Sequence, residues 1–366
     1  MEKVGIGIVG CGNISSAYLK AMASFPILDI RGLADLNRAA AEAKAAEFGL
    51  KAREIDELFS DPAIEIIVNL TVPKAHVEVG LMALAAGKHT YSEKPLGINF
   101  AEGKKLAEEA ERRNLRIGAA PDTFLGGSHQ TARALVDSGV LGQAVGGTAF
   151  FMCPGHERWH PSPAFYYEVG GGPMLDMGPY YITDLVNLLG PVKQVAGFAT
   201  MLRRERVITS EPRKGERIPV HVPTHVAGVM AFACGAVVQI TMSFDVAGHA
   251  HLPLEIYGTE GTLVVPDPNH FGGKVELLKK GGTFEPVPTT EPYDDGNYRS
   301  LGVADMAHAI RSGRPHRANG ALALHVLEVM EAFHTAAGTG RTVSMTTTVE
   351  RPEPLRASLV DGRIAR

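Results

Sequence analysis

The sequence has few of the features that mark secreted, metal-binding or membrane proteins. Its 366 residues include only three cysteines, an odd number at wide spacing, with no Cys-x-x-Cys pair to hold zinc or perform redox chemistry. No apolar run is long enough to span a membrane, and the first residues contain no charged, apolar and small-residue leader. We therefore expect a cytoplasmic protein that has no membrane partner.

The chain also lacks a strong charge of either sign. Its formal net charge is −4, and acidic and basic residues are interspersed without the basic stripe that would follow a phosphate backbone. Nucleic acid is therefore not an expected partner. Apolar residues make up 45% of the chain and charged residues 21%, which is typical of a globular protein, and the length suits two domains.

Short apolar runs alternate with amphipathic stretches through residue 123. This alternation predicts β-α units, a parallel sheet with helices on both faces, and ligand binding at the carboxyl ends of the strands. Residues 1–123 are thus predicted to form an α/β Rossmann dinucleotide-binding domain. The predicted elements are strand Val4–Val9, helix Ile14–Phe25, strand Ile27–Ala34, helix Arg38–Phe48, strand Ile64–Leu70, helix Lys74–Ala86, strand 88–93, helix Phe100–Arg113 and strand 115–120.

After residue 123 the pattern changes to consecutive strands joined by short turns. Hairpin connections such as "ACGA" and "YGTEGT" predict an antiparallel sheet, so we assign residues 124–345 to an α+β domain and 346–366 to a C-terminal tail. The predicted elements are helix Gly127–Ser138, strands Gly146–Cys153, Val195–Arg203, His225–Ala233, Ala236–Phe244, Leu254–Gly258 and Thr262–Val265, and helices Val303–Ser312 and Ala321–Ala337.

A glycine-rich turn follows the first strand. Glycines at this place permit a tight turn and the close approach of a pyrophosphate to a helix N-terminus, although Ser15 replaces the third glycine of the fingerprint and a turn without a ligand is the alternative. Asp35 ends the second strand, where a carboxylate accepts hydrogen bonds from ribose hydroxyls and repels a 2′-phosphate. NAD is the expected cofactor, and Arg38, one turn away, leaves NADP open. The residues expected at the cofactor are Gly10, Gly12, Asn13, Ile14 and Asp35.

The segment "TYSEKPLG" places Lys94 at the carboxyl edge of the parallel sheet, between Glu93 and the stiff Pro95. A partly desolvated ammonium beside a cofactor can act as an acid or as an electrostatic anchor. A lysine next to a glutamate is also common on protein surfaces. Position alone therefore leaves a functional and a structural role open.

The segment "GGGPMLDMGPYYITD" spaces Asp176, Tyr180 and Asp184 four residues apart. On an α-helix this spacing puts the three side chains on one face, which is either a solvated surface or half of an active site. The three glycines before them permit close approach to a ligand. Pro173 suits a first helical turn, whereas Pro179 predicts a kink or a helix that begins later.

Three segments together resemble the Gfo/Idh/MocA family of oxidoreductases. They are "GIVGCGNIS", "VNLTVPKAHVEVGLMALAAGKHTYSEKPLG" and "GGGPMLDMGPYYITDLVNLLG". The resemblance extends over essentially the whole chain. It implies a nucleotide domain and a second domain with an open, mainly antiparallel sheet. It also implies reversible hydride transfer between NAD(P) and a hydroxyl-bearing carbon of a sugar or cyclitol.

The resemblance also implies roles for individual residues. The family's catalytic lysine corresponds to Lys94, and the segment that lines the nicotinamide ribose corresponds to Thr71, Pro73 and His76. Tyr180 stands where many members have an acid/base histidine and some have tyrosine. We expect the Lys94 ammonium to lower the pKa of the Tyr180 phenol from about 10 towards the working range, so that the two act as one unit.

The acidic residues of the same segment have simpler expected roles. Asp176 is expected to accept a hydrogen bond from a substrate hydroxyl. Asp184 either orients the substrate or is a structural helix carboxylate, and the sequence leaves both open.

An aromatic loop, "MCPGHERWHPSPAFYYE", precedes the glycines. Its His156 and His160 have the spacing of a helical metal pair, but the surrounding prolines and the lack of a third ligand argue against a metal. With Trp159 they suit stacking on a pyranose ring and hydrogen bonding to its hydroxyls. We assign all three to the substrate site. Asp122 and Thr123 stand where many relatives have Asn and Arg, so a neutral polyol is favoured over an acid.

The sequence also leaves two alternative functions open and predicts an oligomer. An NAD-dependent glycosidase that oxidises a sugar transiently, or a nucleotide-sensing protein without catalysis, would use the same fold. The strands "HVAGVMAFACG" and "AVVQITMSFDV" carry apolar residues on both faces, which predicts a sheet that is buried on both sides. Relatives pair subunits through this sheet, so a homodimer or homotetramer is expected.

Overall fold

The first five strands of the chain form a parallel sheet, in which their order is β2-β1-β3-β4-β5. The structure is a computed structural model that describes residues 2–355. Every residue of the first strand is buried, as its apolar run requires. The strands are β1 Val4–Val9, β2 Leu28–Ala34, β3 Ile66–Asn69, β4 His89–Ser92 and β5 Ile117–Ala119. Their parallel order confirms the Rossmann-like α/β prediction.

Helices α1 to α5 connect these strands. They are α1 Ser15–Met22, α2 Arg38–Phe48, α3 Ile55–Ser60, α4 His76–Ala85 and α5 Phe100–Arg112. Side-chain caps mark the starts of α2 and α5. The Asn37 side chain accepts a hydrogen bond from the amide of Ala40, and the Asn99 side chain accepts one from the amide of Glu102. The sequence reading missed α3, which is only six residues long. It began α4 too early, since Pro73–Ala75 form a separate 3-10 turn.

A nine-stranded sheet follows, in the order β15-β14-β13-β12-β6-β11-β10-β7-β16. Every neighbouring pair is antiparallel except β6 with β11, which confirms the mainly antiparallel prediction. The strands are β6 Ala144–Met152, β7 Val192–Thr200, β10 His225–Phe232, β11 Val237–Ser243, β12 Leu254–Gly258, β13 Gly261–Val265, β14 Val275–Lys279, β15 Phe284–Val287 and β16 Val343–Ser344. A separate hairpin consists of β8 Glu205–Val207 and β9 Arg217–Pro219.

The sequence reading missed β8, β9 and β14 to β16. Strands of two to five residues are too short to show a clear alternation, so the tertiary pairing defines them.

Four helices complete the described chain. They are α6 Gly127–Asp137, α7 Pro173–Leu189, α8 Leu301–Ser312 and α9 Gly320–Thr339. Helices α7 and α9 pack on one face of the large sheet, whereas α8 and α9 also contact β5 of the parallel sheet. Residues 2–355 leave the opposite face of the large sheet open, with Phe198 77% exposed.

Helix α7 runs through Pro179 to Leu189, so the alternative that it begins after this proline is wrong. Almost all of its residues are buried, which makes it the central helix of the second half of the chain. Within residues 2–355, no helix has the length and apolarity that a membrane crossing needs. The predicted tail lies in part outside the described residues, since these end at residue 355.

Candidate active site

The glycine turn lies at the carboxyl end of β1 and leads into α1. Gly10 has a φ of +102°, and a side chain there would meet the backbone of Leu70 at 2.5 Å. A Cβ on Gly12 would meet nothing within 4 Å, so this residue faces open space. Ser15 is buried, and its hydroxyl donates to the Gly12 carbonyl at 2.7 Å. The serine thus tightens the turn while Gly12 leaves room for a pyrophosphate, with Asn13 exposed and Ile14 half-buried beside it.

Asp35 lies directly beside this turn. Its carboxylate accepts from the backbone amides of Cys11 and Asn37, both at 2.8 Å. These contacts aim the carboxylate at the turn and leave further lone pairs for ribose hydroxyls. Arg38 bonds to Glu42 and Glu54 instead, at 2.9 and 2.8 Å. The arrangement therefore fits an unphosphorylated adenosine ribose.

The Thr71 segment, which contains Thr71, Pro73 and His76, follows the carboxyl end of β3. The Thr71 hydroxyl donates to Asn69 at 2.6 Å, and Pro73 opens the 3-10 turn. His76 is buried, and its ring nitrogens contact the carbonyl oxygens of Pro95 and Thr71 at 2.7 and 3.0 Å. Burial lowers its pKa. His76 therefore ties the Thr71 segment to the Lys94–Pro95 segment and supports the site from beneath.

Lys94 and Asp176 form the charged centre of the site. The Lys94 ammonium donates to Asp176 Oδ1 at 2.6 Å and to the Asp176 carbonyl at 2.7 Å. It also lies 5.1 Å from the centre of the Tyr180 ring. The fold thus joins the two segments that the sequence analysis singled out, although 82 residues separate Lys94 from Asp176.

Both members of this pair are held in their charged forms. Burial raises the pKa of Asp176, but Lys94 and His156 outweigh it and hold the value at about 2. Burial also disfavours the Lys94 ammonium, yet Asp176 and Tyr180 keep its pKa above the usual range. Lys94 is therefore a fixed positive charge at neutral pH.

The Tyr180 phenol behaves differently from the sequence expectation. Its side chain is buried, and this burial raises its pKa above the ordinary value. Lys94 and Arg299 both lower the pKa but do not cancel the effect of burial. The expected direction of the Lys94 effect is therefore correct, whereas the expected net decrease is wrong for this structure.

Glu93 is held away from solvent beside Lys94. Its Oε1 accepts from the Tyr18 hydroxyl at 2.7 Å, and its Oε2 accepts from the Lys94 backbone amide at 3.0 Å. Tyr18 belongs to α1, so this contact fixes the Lys94 segment against the nucleotide turn. Nothing in the sequence pattern distinguishes Tyr18 from a packing residue.

The aromatic loop contacts Asp176 from the other side. His156 Nε2 lies 3.0 Å from Asp176 Oδ2, and the Trp159 indole donates to His156 Nδ1 at 3.0 Å. Because indole N–H only donates, Nδ1 is the acceptor and the Nε2 proton points to Asp176. The imidazole of His156 is thereby held between Trp159 and Asp176, and Trp159 remains 54% exposed beside it.

His160 completes the loop without joining a metal site. Its ring packs edge-on against Trp159 and Tyr166, and its Nδ1 accepts from the Ser162 amide at 3.0 Å. Burial lowers the pKa of its imidazole. No group of three or more His, Cys, Asp or Glu side chains among residues 2–355 is placed to hold a metal ion.

Asp184 is fully buried one turn after Tyr180. Its Oδ2 lies 2.8 Å from His129 Nδ1, and its Oδ1 accepts from Asn187 at 3.3 Å. His129 in turn contacts the carbonyl of His270 at 2.9 Å. For Asp184 the sequence left open a substrate-orienting role and a structural role. These contacts favour the structural role, because the Asp184 carboxylate connects α7 to α6.

One cation of the site was not anticipated. The positive charge of Arg299 lowers the pKa of the Tyr180 phenol, as that of Lys94 does. It comes from the loop before α8, 119 residues after Tyr180 in the sequence. The stretch "DDGNYRS" has no periodicity or motif that would indicate a role, so only the tertiary structure identifies this residue.

The candidate site brings together the glycine turn after β1, the Asp35 carboxylate, and Lys94 with Tyr180 of α7. Residues 4–120 match the model of an oxidoreductase family with an NAD-binding Rossmann fold, and residues 129–264 match that of the GFO/IDH/MocA C-terminal domain. The chain belongs to the Gfo/Idh/MocA family. As a member of this family, it is an NAD-binding oxidoreductase.

Several members of the family are similar along most of the chain. Trans-1,2-dihydrobenzene-1,2-diol dehydrogenase of Homo sapiens is 26% identical over 315 residues, which cover 84% of this chain and 88% of that protein. 1,5-Anhydro-D-fructose reductase of Ensifer adhaerens is 25% identical over 320 residues, covering 85% and 88%. The solved structure of levoglucosan dehydrogenase with NADH and L-sorbose superposes with a TM-score of 0.83 at 21% identity, covering 95% and 100%.

Proposed function

We propose that this protein interconverts a ring hydroxyl and the corresponding carbonyl on a sugar, sugar derivative or cyclitol, with NAD as cofactor. The observation that carries the proposal is the Lys94 ammonium, which is bonded to Asp176 and lies over the Tyr180 ring. A fixed cation beside a phenol suits proton transfer at an oxygen whose carbon gains or loses a hydride.

The substrate class is supported by the names of three relatives. One acts on a dihydrobenzene diol, one on 1,5-anhydro-D-fructose, and one on levoglucosan. All three are small rings that carry hydroxyl or keto groups. A cyclic polyol is therefore the class that we propose for this chain.

Bound NAD would supply the hydride acceptor for oxidation of the substrate carbon, and bound NADH the hydride donor for the reverse reaction. In our proposal, Gly10, Gly12 and Asp35 hold the nucleotide, and the Thr71 segment borders its nicotinamide ribose. Tyr180 accepts the hydroxyl proton during oxidation and returns it during reduction. Lys94 stabilises the negative charge that develops on the substrate oxygen and on the phenol.

The remaining residues orient the substrate ring. Asp176 holds Lys94 and His156 in place, and its remaining lone pairs accept from a substrate hydroxyl. The exposed Trp159 ring stacks on the apolar face of the substrate, and His160 supports it. Asp122 and Thr123 supply no cation for a substrate carboxylate, so we propose a neutral substrate.

A panel of sugars, disaccharides and cyclitols tests the function by NADH absorbance. A dehydrogenase accumulates NADH with at least one member of the panel. An enzyme that cleaves disaccharides without net NADH would be the NAD-dependent glycosidase. A protein that binds NAD tightly but turns over nothing would be the sensor, and either result contradicts the proposal.

Variants of Tyr180 and Lys94 test the assigned pair. Tyr180→Phe should lower turnover by roughly two to four orders of magnitude while NAD affinity stays unchanged. Lys94→Ala should cost at least as much, and the double variant little more, because residues that act as a unit are not additive. Tyr180→His should retain activity. Turnover of Tyr180→Phe within about threefold of the parent would assign Tyr180 to packing instead.

A further inference from the structure

Two adjacent tyrosines end the aromatic loop and differ in how their hydroxyls are used. Tyr166 and Tyr167 close the 3-10 turn Pro163–Tyr167, and both side chains are buried. The Tyr167 hydroxyl donates to Glu157 and accepts from the His156 amide at 3.2 Å. Among residues 2–355, the Tyr166 hydroxyl has no hydrogen-bond partner. Buried phenols usually find a partner within the protein, so the free hydroxyl of Tyr166 points to a ligand.

The backbone of Tyr166 is fixed to the start of α7. Its carbonyl accepts from the Gly172 amide at 2.7 Å, and the Gly172 carbonyl accepts from the Asp176 amide at 3.0 Å. A side chain on Gly171 would meet the Tyr166 carbonyl oxygen at 2.7 Å, so the two segments are in direct contact. Tyr166 is therefore held in a fixed position relative to the helix that carries Asp176 and Tyr180.

The ring of Tyr166 packs against a residue of the candidate site. Its centre lies 4.6 Å from that of the His156 imidazole, in an edge-on arrangement. His156 Nε2 in turn lies 3.0 Å from Asp176 Oδ2. Phe165 and Phe244 contact the same ring, with their centres at 4.0 and 6.3 Å from its own. These contacts fix the ring beside the charged centre of the site.

The hydroxyl end of this ring is accessible. Tyr166 retains 9% of its surface exposed, and its oxygen is not enclosed as the unpartnered Tyr91 hydroxyl is. The charges of the site also act on the phenol, since burial raises its pKa, Asp176 raises it further and Lys94 lowers it. The phenol is therefore neutral at physiological pH, and its donor and its lone pairs are free for a ligand.

We infer that Tyr166 is a specificity-determining residue that hydrogen-bonds a second hydroxyl of the substrate ring, on a carbon other than the one that is oxidised. The inference rests on the proposed function, in which Tyr180 and Lys94 act at the reacting hydroxyl. Both oxygens of the Asp176 carboxylate already have protein partners, Lys94 and His156. The Tyr166 phenol is positioned in advance and has no bond to give up, which favours recognition of a further hydroxyl.

This role makes the enzyme selective for polyols over deoxy rings. A site group that bonds a substrate hydroxyl discriminates against the analogue that lacks it, because the site group then stays unpaired. The Tyr166 ring alone would not discriminate in this way. The hydroxyl of Tyr166 is therefore the atom to remove.

Levoglucosan, whose ring carries several hydroxyls, is the probe, together with its monodeoxy derivatives. A ring of the panel that is oxidised faster takes its place with its own derivatives. Tyr166→Phe removes the hydroxyl and keeps the ring against His156 and Phe165. For the intact probe, kcat/KM should fall about three- to tenfold, mainly through KM, as expected for one lost neutral hydrogen bond. The affinity for NADH should not change, because the inference places the hydroxyl at the substrate alone.

The deoxy derivatives identify the hydroxyl that Tyr166 binds. The derivative without the reacting hydroxyl cannot be oxidised. Among the others, one should lose about as much kcat/KM in the parent as Tyr166→Phe loses with the intact probe. Parent and variant should oxidise this derivative equally, within about twofold, because either change removes the same bond and the losses do not add. With a derivative that keeps the bonded hydroxyl, the full difference between parent and variant should persist.

Other tyrosines of the chain are matched controls. Tyr257→Phe removes a hydroxyl that lies 3.3 Å from Thr148 and from Glu255 on the large sheet, and it should leave the kinetics unchanged. Tyr167→Phe breaks the bonds to Glu157 and to the backbone of the loop, and it should lower kcat/KM by the same factor for every ring. Selectivity among the rings thus separates recognition by Tyr166 from a structural effect on the loop.

Two results would overturn the inference. One is a kcat/KM for the intact probe that stays within about twofold of the parent in Tyr166→Phe. The other is a loss by the same factor with every reactive derivative, which would make the Tyr166 hydroxyl a structural group like that of Tyr167. Failure of the proposed function is distinguishable, because a parent that oxidises no ring of the panel forms no NADH whatever residue stands at position 166.

Discussion

Tyr180 is subject to two opposing influences on its hydroxyl. Burial in the middle of α7 raises the phenol pKa, while Lys94 and Arg299 lower it. Burial has the larger effect, so the resting phenol is neutral at physiological pH. A neutral phenol is a ready proton donor, which suits protonation of a substrate oxygen during carbonyl reduction.

The raised pKa of Tyr180 makes the two directions differ in pH dependence. Oxidation needs the phenolate, so its kcat/KM should rise with pH between about pH 7 and about pH 9, while reduction stays nearly flat. Initial rates in both directions across this interval measure the effect. Tyr180→His is the control, since an imidazole with an ordinary pKa of about 6.5 should move the rise to lower pH. A flat oxidative profile would show that Tyr180 is not the base.

We expect the preference for NAD over NADP to depend on Asp35, whose carboxylate accepts hydrogen bonds from the amides of Cys11 and Asn37. We expect NAD to bind more tightly than NADP, and Asp35→Ser should narrow the difference because the repulsion of a 2′-phosphate is removed. Dissociation constants for both nucleotides measure it. Asp29→Ser, on the same strand but paired with Arg31, should leave the ratio unchanged. Tighter NADP binding by the parent would contradict the expectation.

At the scale of elements, the aromatic loop depends on a hairpin that the sequence reading missed. Arg206 on β8 is almost fully buried, donates to Glu157 at 3.0 Å and also pairs with Asp245. Its guanidinium lies 5.2 Å from the centre of the Tyr167 ring. Since Glu157 follows His156 directly, the hairpin fixes the loop that presents Trp159 and His156 to the site.

Removal of this arginine should leave two buried carboxylates without their partner. We expect Arg206→Met to lower the free energy of unfolding by about 3–5 kcal/mol. Arg217→Met, on the partner strand β9 and 70% exposed, should cost less than about 1 kcal/mol. Denaturant unfolding measures both, and Trp159, the only tryptophan, reports the loop by its fluorescence. Equal costs for the two variants would contradict a supporting role for the hairpin.

At the scale of the whole molecule, helices among residues 2–355 cover the large sheet on one side only. Its open face exposes Phe198 to 77% and Val229 to 41%, which fits the sequence expectation of a sheet that needs a second cover. We propose that another copy of the chain supplies this cover, as a homodimer or homotetramer.

A charge on the open face should break this assembly. Phe198→Glu should shift sedimentation towards the 39.0 kDa monomer, because burial of an unpaired carboxylate opposes association. Met82→Glu is the control, since Met82 is 41% exposed on α4 of the nucleotide-binding half and should leave the assembly intact. A parent protein that sediments only as the monomer at micromolar concentration would count against the proposal.

Local patterns in the sequence predicted most of the fold. Apolar periodicity predicted the five strands of the parallel sheet and four of its five helices. The elements α2, β1 and β12 have the predicted bounds because turn or capping residues flank them. The same patterns with the family resemblance placed Gly10, Asp35, Lys94 and Tyr180 in the candidate site. These features depend on near neighbours in the chain, which is why the sequence is sufficient to predict them.

Long-range contacts decided the rest. Tyr18 at Glu93 and Arg206 at Glu157 each join elements that are far apart in the chain, and no local pattern marks them. The net pKa of Tyr180 likewise depends on burial, which is a property of the packed molecule and opposes the effect of the neighbouring lysine. The sequence by itself determined which residues could do the chemistry, whereas the tertiary structure decided their charge states and their partners, because both arise from contacts that form only on folding.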